Sequence, residues 1–414
     1  MAPDAPLPAA PAPSEPAPAD LRALFPAPVR DLLLALRRDL HRHPELAFRE
    51  ERTAARLTDA LRAIAPAALA SVERVAGTGV VARLRGRDPG APVVAVRGDI
   101  DALPIQEATG LDYASAVPGV MHACGHDVHA AWAVGAAHLL AAEPAAGDVL
   151  VVLQPAEETG AGALAVLESG ALDGVAAIFG AHVDRRFAVG QVVADDGPLA
   201  ASADTFAIEL TGAGAHAARP HEAADPVVGV AALVGALQTI VSRRLNPASA
   251  GVVTVGALHA GTAANVIPDR AELLGTVRAV DPPARALLVD EVQRMTHAVA
   301  AAYRLEARVT FEPGTPPIVN PPGPTAWARR AARATLGDDA VVPLGFLNLA
   351  GEDFAHYLER VPGCFLRVGA REPGGPVVPA HSPRFYAADD SVLVGAAVLA
   401  ATARVASRAL ADGA

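Results

Sequence analysis

The sequence predicts an α/β fold: a domain on a largely parallel sheet, interrupted by a smaller α+β domain. Three observations predict it. Over residues 21–200, apolar runs of strand length alternate with helical stretches. Those runs are apolar at nearly every position, as strands covered on both faces are. From 201 to 309 the runs alternate apolar with polar residues, the pattern of half-exposed strands, and over 310–414 the first pattern returns.

The elements follow in order. Residues 1–20, "MAPDAPLPAAPAPSEPAPAD", are Pro/Ala-rich and acidic, with neither the basic nor the apolar region of a secretory signal, and are expected to form a disordered leader. Helical stripes run from Val29 to Arg62 with a break at His43-Pro44. "GTGVVARL", "APVVAVRGD", "DVLVVLQP" and "VAAIFGAHV" are expected buried strands, with "DVHAAWAVGAAHLLAA" and "AGALAVLESGAL" as helices between them. In the 201–309 segment, "SADTFAIELTGAGAHA", "AGVVTVGALHAG" and "RAELLGTVRAV" are strands, and Asp225–Arg243 and Pro283–Ala302 are helices. A turn-rich connector, "PGTPPIVNPPGP", leads into a helix at "WARRAARATL" and a strand at "GCFLRVGA". No apolar run is read as a membrane span. The C-terminal "SVLVGAAVLAATARVASRAL" is interrupted by Arg404 and Arg408 and is expected to be a surface helix.

Composition excludes several functions. The net charge is −11, with no basic block, which argues against nucleic acid and anionic membranes as partners. All 34 basic residues are Arg. Without lysine there is no Schiff-base lysine and no phosphate-loop lysine. Two cysteines, Cys124 and Cys364, make no disulfide framework, so a reducing, cytoplasmic setting is expected.

The polar residues gather at strand ends. "VVAVRGDIDAL" ends with Asp99 and Asp101, "VLVVLQPAEETG" with Glu157 and Glu158, and "AAIFGAHV" with His182. In open α/β sheets, sites collect beyond the carboxyl ends of strands. "VMHACGHDVHAAW" adds Cys124, His126 and Asp127 around a Gly125 turn, flanked by His122 and His129. Thiolate, imidazole and carboxylate together suit a divalent transition metal such as Zn, Mn, Co or Ni. A cysteine nucleophile with a histidine base, or a polar turn, uses the same residues. Adjacent Glu157 and Glu158 allow one carboxylate to bind metal while the other acts as general base. Other matches are weaker. "RGD" at Arg97–Asp99 ends a buried strand, "HEAAD" from His221 lacks the second His of a zinc helix, and no full G-x-G-x-x-G follows a strand.

Eight stretches in order carry a family likeness: "LRRDLHRHPEL", "RGDIDALPIQE", "MHACGHDVHAAW", "LQPAEETGAGA", "GAHAARPHEAADPV", "NVIPDRAELLGTVR", "GEDFAHYL" and "PAHSPRF". With them the chain resembles the metal-dependent aminoacylases, hippurate hydrolases and hydrolases of indoleacetic acid–amino acid conjugates. The resemblance implies a zinc-exopeptidase-like catalytic domain (21–200 and 310–414) with an inserted lid and dimerisation domain at 201–309. It implies two metal ions on five ligands, Cys124, His126, Glu158, His182 and His381, with Cys124 bridging. It implies Glu157 as general base and acid, and His216 as donor to the oxyanion. Asn265 and Arg278 would hold the substrate carboxylate, and Arg97 and Asp99 would orient the ligands. The activity implied is hydrolysis of an N-acyl amino acid by a homodimer. A dipeptide or N-acetyl-diaminopimelate substrate, or a non-catalytic metal-binding relative, is the alternative.

Overall fold

The computed structural model describes residues 19–413, and side chains from Leu21 onward. Most of the expected leader, residues 1–18, lies outside the described residues. The chain forms two compact units. The first holds residues up to Asp195, Pro322–Pro343 and from Val361 on; the second holds Asp196–Pro321 and Leu344–Arg360. The second unit takes in more than the 201–309 segment drawn from the sequence, including the strands Gly197–Ala200 and Ile318–Asn320, which pair with each other.

The first unit is built on a seven-stranded sheet. Its spatial order is Leu69–Val75, Gly79–Leu84, Val149–Gln154, Val93–Asp99, Val175–Ala188, Gly363–Arg371 and Val192–Val193. The four central strands from Val149–Gln154 to Gly363–Arg371 run parallel. The strands outside them pair antiparallel, so the sheet is mixed, with its parallel part at the centre. The continuous apolar runs have their cause here: all six residues of Val149–Gln154 are buried.

The helix His126–Ala142 packs against the sheet and against the helices Ala27–Arg42 and Asp390–Asp412. Its apolar residues go all round because it is covered on every side. Trp132 lies at its centre, fully buried, and Gly395 lets the C-terminal helix approach: a Cβ there would sit 2.1 Å from Trp132.

That C-terminal helix corrects the expectation of a surface element. Val392 to Ala400 are all buried. Arg404 does not mark a solvent face; its guanidinium donates to the carbonyls of Leu139 and Glu143, satisfying the open end of the neighbouring helix. By length and mean hydropathy, Asp390–Asp412 and Pro226–Arg243 could each cross a membrane, contrary to the sequence reading; the first is 72% buried in its apolar window, as core helices are.

The second unit holds a four-stranded antiparallel sheet in the order Gly251–Ala260, Arg270–Ala279, Asp204–Thr211, Glu306–Glu312. Alternate residues of Asp204–Thr211 and Arg270–Ala279 are buried, which is the period-two pattern seen in the sequence. The helices Pro226–Arg243 and Pro282–Ala302 pack on this sheet. Asp225 and Asp281 cap them, each accepting a backbone N–H of the first turn.

Candidate metal centre

Local backbone sets the donors. Gly125 stands at φ 88° as the N-cap of the helix that His126 opens. This left-handed turn lets Cys124 and His126, two residues apart, face one point, and glycine adopts it without steric cost. After the strand Val149–Gln154, Ala156 at φ 54° turns the chain into a single 3-10 turn, Glu157–Thr159, that presents both glutamates. His182 comes from the strand Val175–Ala188. His381 comes from the loop beyond Gly363–Arg371 and itself holds φ 65°.

These residues meet. The donor atoms of Cys124, His126 and His182 all lie within 4.8 Å of one another, and those of Cys124, Glu158 and His381 form a second such group. The two groups share Cys124. Its Sγ is 3.2 Å from His182 Nε2. His381 Nε2 is 3.3 Å from a Glu158 oxygen. His126 Nε2 lies 3.8 Å from Glu157 on one side and 3.8 Å from Glu158 on the other.

Tautomers follow from the partners. His182 Nδ1 donates to the Val183 carbonyl at 2.7 Å, which leaves the Nε2 lone pair facing Cys124. His129 accepts the Val183 N–H on Nε2 at 2.9 Å, so its proton is on Nδ1, given to Asp99 at 2.5 Å. Both nitrogens of His129 are therefore used, and it is not a ligand, although Asp99, His126 and His129 also cluster. Burial pushes the His129 pKa down, which keeps the ring neutral.

Asp101 is the residue the sequence reading left without a role. One of its oxygens lies 3.1 Å from His126 Nδ1, and the other accepts the Glu158 N–H at 3.0 Å. One carboxylate thus orients a member of each donor group. The signal was present as the i, i+2 spacing in "DID". Asp99 stands one step further back: it pairs with Arg97, whose Nε reaches Gln154 at 2.8 Å, and it holds His129.

Behind His126, Asp127 pairs with Arg37 at 2.8 Å and with His41 at 2.9 Å; the other nitrogen of His41 is 3.3 Å from Glu107. Burial would lower the His41 pKa, but the Asp127 and Glu107 carboxylates raise it. At His122, burial outweighs the raising effect of the Asp127 charge and pushes the pKa down to about 3.

Against the lowering effect of burial, Asp99 and Asp101 hold His126 well above its ordinary pKa. The Cys124 thiol and the Glu158 carboxylate push His381 up to about 10. Burial, then the Glu158 charge, raises the Cys124 thiol. His126 Nε2 and Glu158 Oε1 are buried without a hydrogen-bond partner among the described residues. An unpaired buried polar atom costs about 1–3 kcal/mol. A cation between the two would relieve both, and the donor set of thiol, imidazoles and carboxylate fits one.

His216, Asn265 and Arg278 belong to the second unit. His216 pairs in register with Val266, and its Nδ1 accepts the Ala218 N–H at 3.1 Å, so its proton is on the exposed Nε2. The Asn265 carbonyl accepts the Ala217 N–H at 3.0 Å. Arg278 lies on Arg270–Ala279, with a guanidinium nitrogen 3.8 Å from where a Cβ of Gly351 would stand. His221 is exposed, with its Nε2 3.8 Å from a Glu222 oxygen.

The chain is similar to proteins already known. Residues 95–405 match the model of peptidase family M20/M25/M40. The N-acetyl-L-cysteine deacetylase of Bacillus subtilis (strain 168) is 44% identical over 344 residues, covering 81% of this chain and 80% of the relative. The IAA-amino acid hydrolase ILR1-like 4 of Arabidopsis thaliana is 35% identical over 90% of this chain and 85% of its own length. The Bacillus subtilis YXEP protein, described as a dinuclear metal binding peptidase, superposes with a TM-score of 0.80 at 36% identity, covering 94% of this chain and 99% of that one.

Proposed function

The chain belongs to peptidase family M20/M25/M40, and from that premise we propose that it hydrolyses the amide bond of N-acyl amino acids, releasing a carboxylic acid and an amino acid. The observation that carries this reading is the pair of donor groups sharing Cys124, with Glu157 beside them. One divalent ion would be held by Cys124, His126 and His182, and a second by Cys124, Glu158 and His381. Bound there, such ions supply Lewis acidity toward the amide carbonyl and make water a stronger acid.

The chain's own groups do the rest. Glu157, buried at the edge of the cluster, takes the proton of the attacking water and returns it to the leaving amine. His216 donates from Nε2 to the developing oxyanion; the proton position set by Ala218 supports that role. Arg278 and Asn265 hold the carboxylate of the released amino acid, for which a guanidinium fork is suited. Asp101, Asp99 and Arg97 keep the ligands in orientation.

We assign catalysis to the first unit, and lid and homodimer contacts to the second. Supporting the dimer, the helix Pro226–Arg243 has a mean hydropathy of 1.5 yet is 33% buried, with Val227 and Val228 exposed, beside the edge strand Gly251–Ala260. Two free cysteines favour the cytoplasm.

The test is a panel of acetyl, benzoyl and indoleacetyl amino acids and dipeptides, assayed with Zn, Mn, Co and Ni, reading amine release. We expect at least one acyl class to be cleaved, and chelation to stop it. Turnover that survives complete metal removal, and that iodoacetamide abolishes, would overturn this reading in favour of Cys124 as a nucleophile. Burial, which raises the Cys124 thiol, argues against that alternative.

A further inference from the structure

We propose that Arg185 is a positioning residue: it clasps both ends of the loop at 372–386 and so sets His381 for the second metal position. The inference rests on the two-metal reading above.

Arg185 lies three residues beyond His182 on the strand Val175–Ala188, with its side chain fully buried. Its guanidinium gathers the loop from both sides. Nη1 donates to the carbonyls of Ala370 and Tyr386, each at 3.1 Å, and to Glu372 at 2.9 Å. Nη2 donates to Glu372 at 3.2 Å and to the Pro376 carbonyl at 2.8 Å. The Tyr386 ring covers the guanidinium at 3.9 Å, and its hydroxyl donates to Glu372. Ala370 and Glu372 stand where the loop leaves the sheet, and Tyr386 where it returns, so one planar cation joins the two ends.

The loop needs such a clasp because of what it carries. Cys124 sits in a bend, His126 at a helix start, Glu158 in a tight turn and His182 within a strand of the sheet. His381 sits in an extended loop with its side chain 53% exposed, at a positive φ that a non-glycine residue holds only when its surroundings impose it. Within the loop, two backbone bonds tie it inward: His381 N–H to the Ala123 carbonyl, and the Ala108 N–H to the Pro383 carbonyl, both 2.8 Å. Those bonds hold the middle; Arg185 holds the base. Loosening the base frees His381 and leaves the group of Cys124, His126 and His182 as it was.

The test uses the full-length protein with Arg185→Lys, Glu372→Gln and, as a reference, His381→Ala. Lysine keeps the charge but cannot span three carbonyls and a carboxylate. Glu372 is partly exposed, so Glu372→Gln loosens the clasp where Arg185→Lys fails to fold. Co(II) is titrated into the metal-free proteins, and bound metal is counted directly and by visible absorption. Two equivalents are expected on the wild type. On Arg185→Lys and on His381→Ala, the first should bind as in the wild type and the second about 10- to 100-fold more weakly. Glu372→Gln should fall between. Wild-type binding of both equivalents by Arg185→Lys or Glu372→Gln, or equal weakening of both, overturns the inference alone. Fewer than two equivalents on the wild type overturns the two-metal reading and this inference with it.

Discussion

Replacing Gly125 by alanine puts the local design of the centre to a quantitative test. The residue sits between Cys124 and His126 at φ 88°. A side chain in the left-handed region costs about 1–2 kcal/mol. The added Cβ would also lie 2.5 Å from Val183 Cγ2 and 3.4 Å from the Phe385 ring. Carbon atoms settle about 3.5–4.0 Å apart, so something must yield by about 1 Å. Val183 is pinned, its N–H given to His129 and its carbonyl bound by His182. The displacement therefore falls on the turn that carries two donors. Overpacking of this kind costs about 1–3 kcal/mol, for a total of about 2–5 kcal/mol. Urea unfolding of the metal-free protein reads that loss, and metal titration should show weaker binding. In a cycle with Val183→Ala, the double variant should recover the steric share, a coupling of about 1–3 kcal/mol. Wild-type stability and metal affinity in Gly125→Ala, or no coupling to Val183, would refute the reasoning.

Other substitutions read other parts of the structure. Asp101→Asn sets an amide N–H against one of the two donors that Asp101 accepts, so metal affinity should fall about 10- to 100-fold in a competition titration, and metal-free unfolding should show a loss of about 1–3 kcal/mol from the buried donor left unpaired. Gly395→Ala drives a Cβ to 2.1 Å from Trp132 and should cost about 1–3 kcal/mol or more in denaturant unfolding, while variants that fold still bind two metal equivalents. Asp39→Asn tests a surface network: burial would raise the Asp39 pKa, but Arg52 and Arg56 hold it below the ordinary value. A depressed carboxylate contributes stability above its unfolded pKa of about 3.9 and loses it as pH falls through the folded value. The variant should therefore be about 0.5–1 kcal/mol less stable at pH 7, with solvent screening of both arginines included, and the gap should close toward pH 2. A constant gap across that range would show that the ion pairs are not its source.

Much of this protein could be read along the chain. The α/β class followed from apolar runs whose cause is burial on both faces, and the change near residue 201 followed from strands with one open face. The donor residues stood out because thiol, imidazole and paired carboxylates rarely follow buried strands without a purpose. Local sequence carries such signals because they depend on near neighbours and on the period of the backbone. Tertiary structure decided the rest. It made the sheet mixed, since antiparallel pairing at its edges joins segments whose patterns look alike. It turned the C-terminal helix inward, because Arg404 found helix-end carbonyls instead of water. It gave Asp101 its two partners and His129 its fixed tautomer, and it set Arg185 across both ends of the loop of His381. Each of these depends on atoms far apart in sequence meeting within hydrogen-bond distance. In "VMHACGHDVHAAW" the residues able to bind metal are visible, but which nitrogens stay free to do so is determined by the strands packed around them.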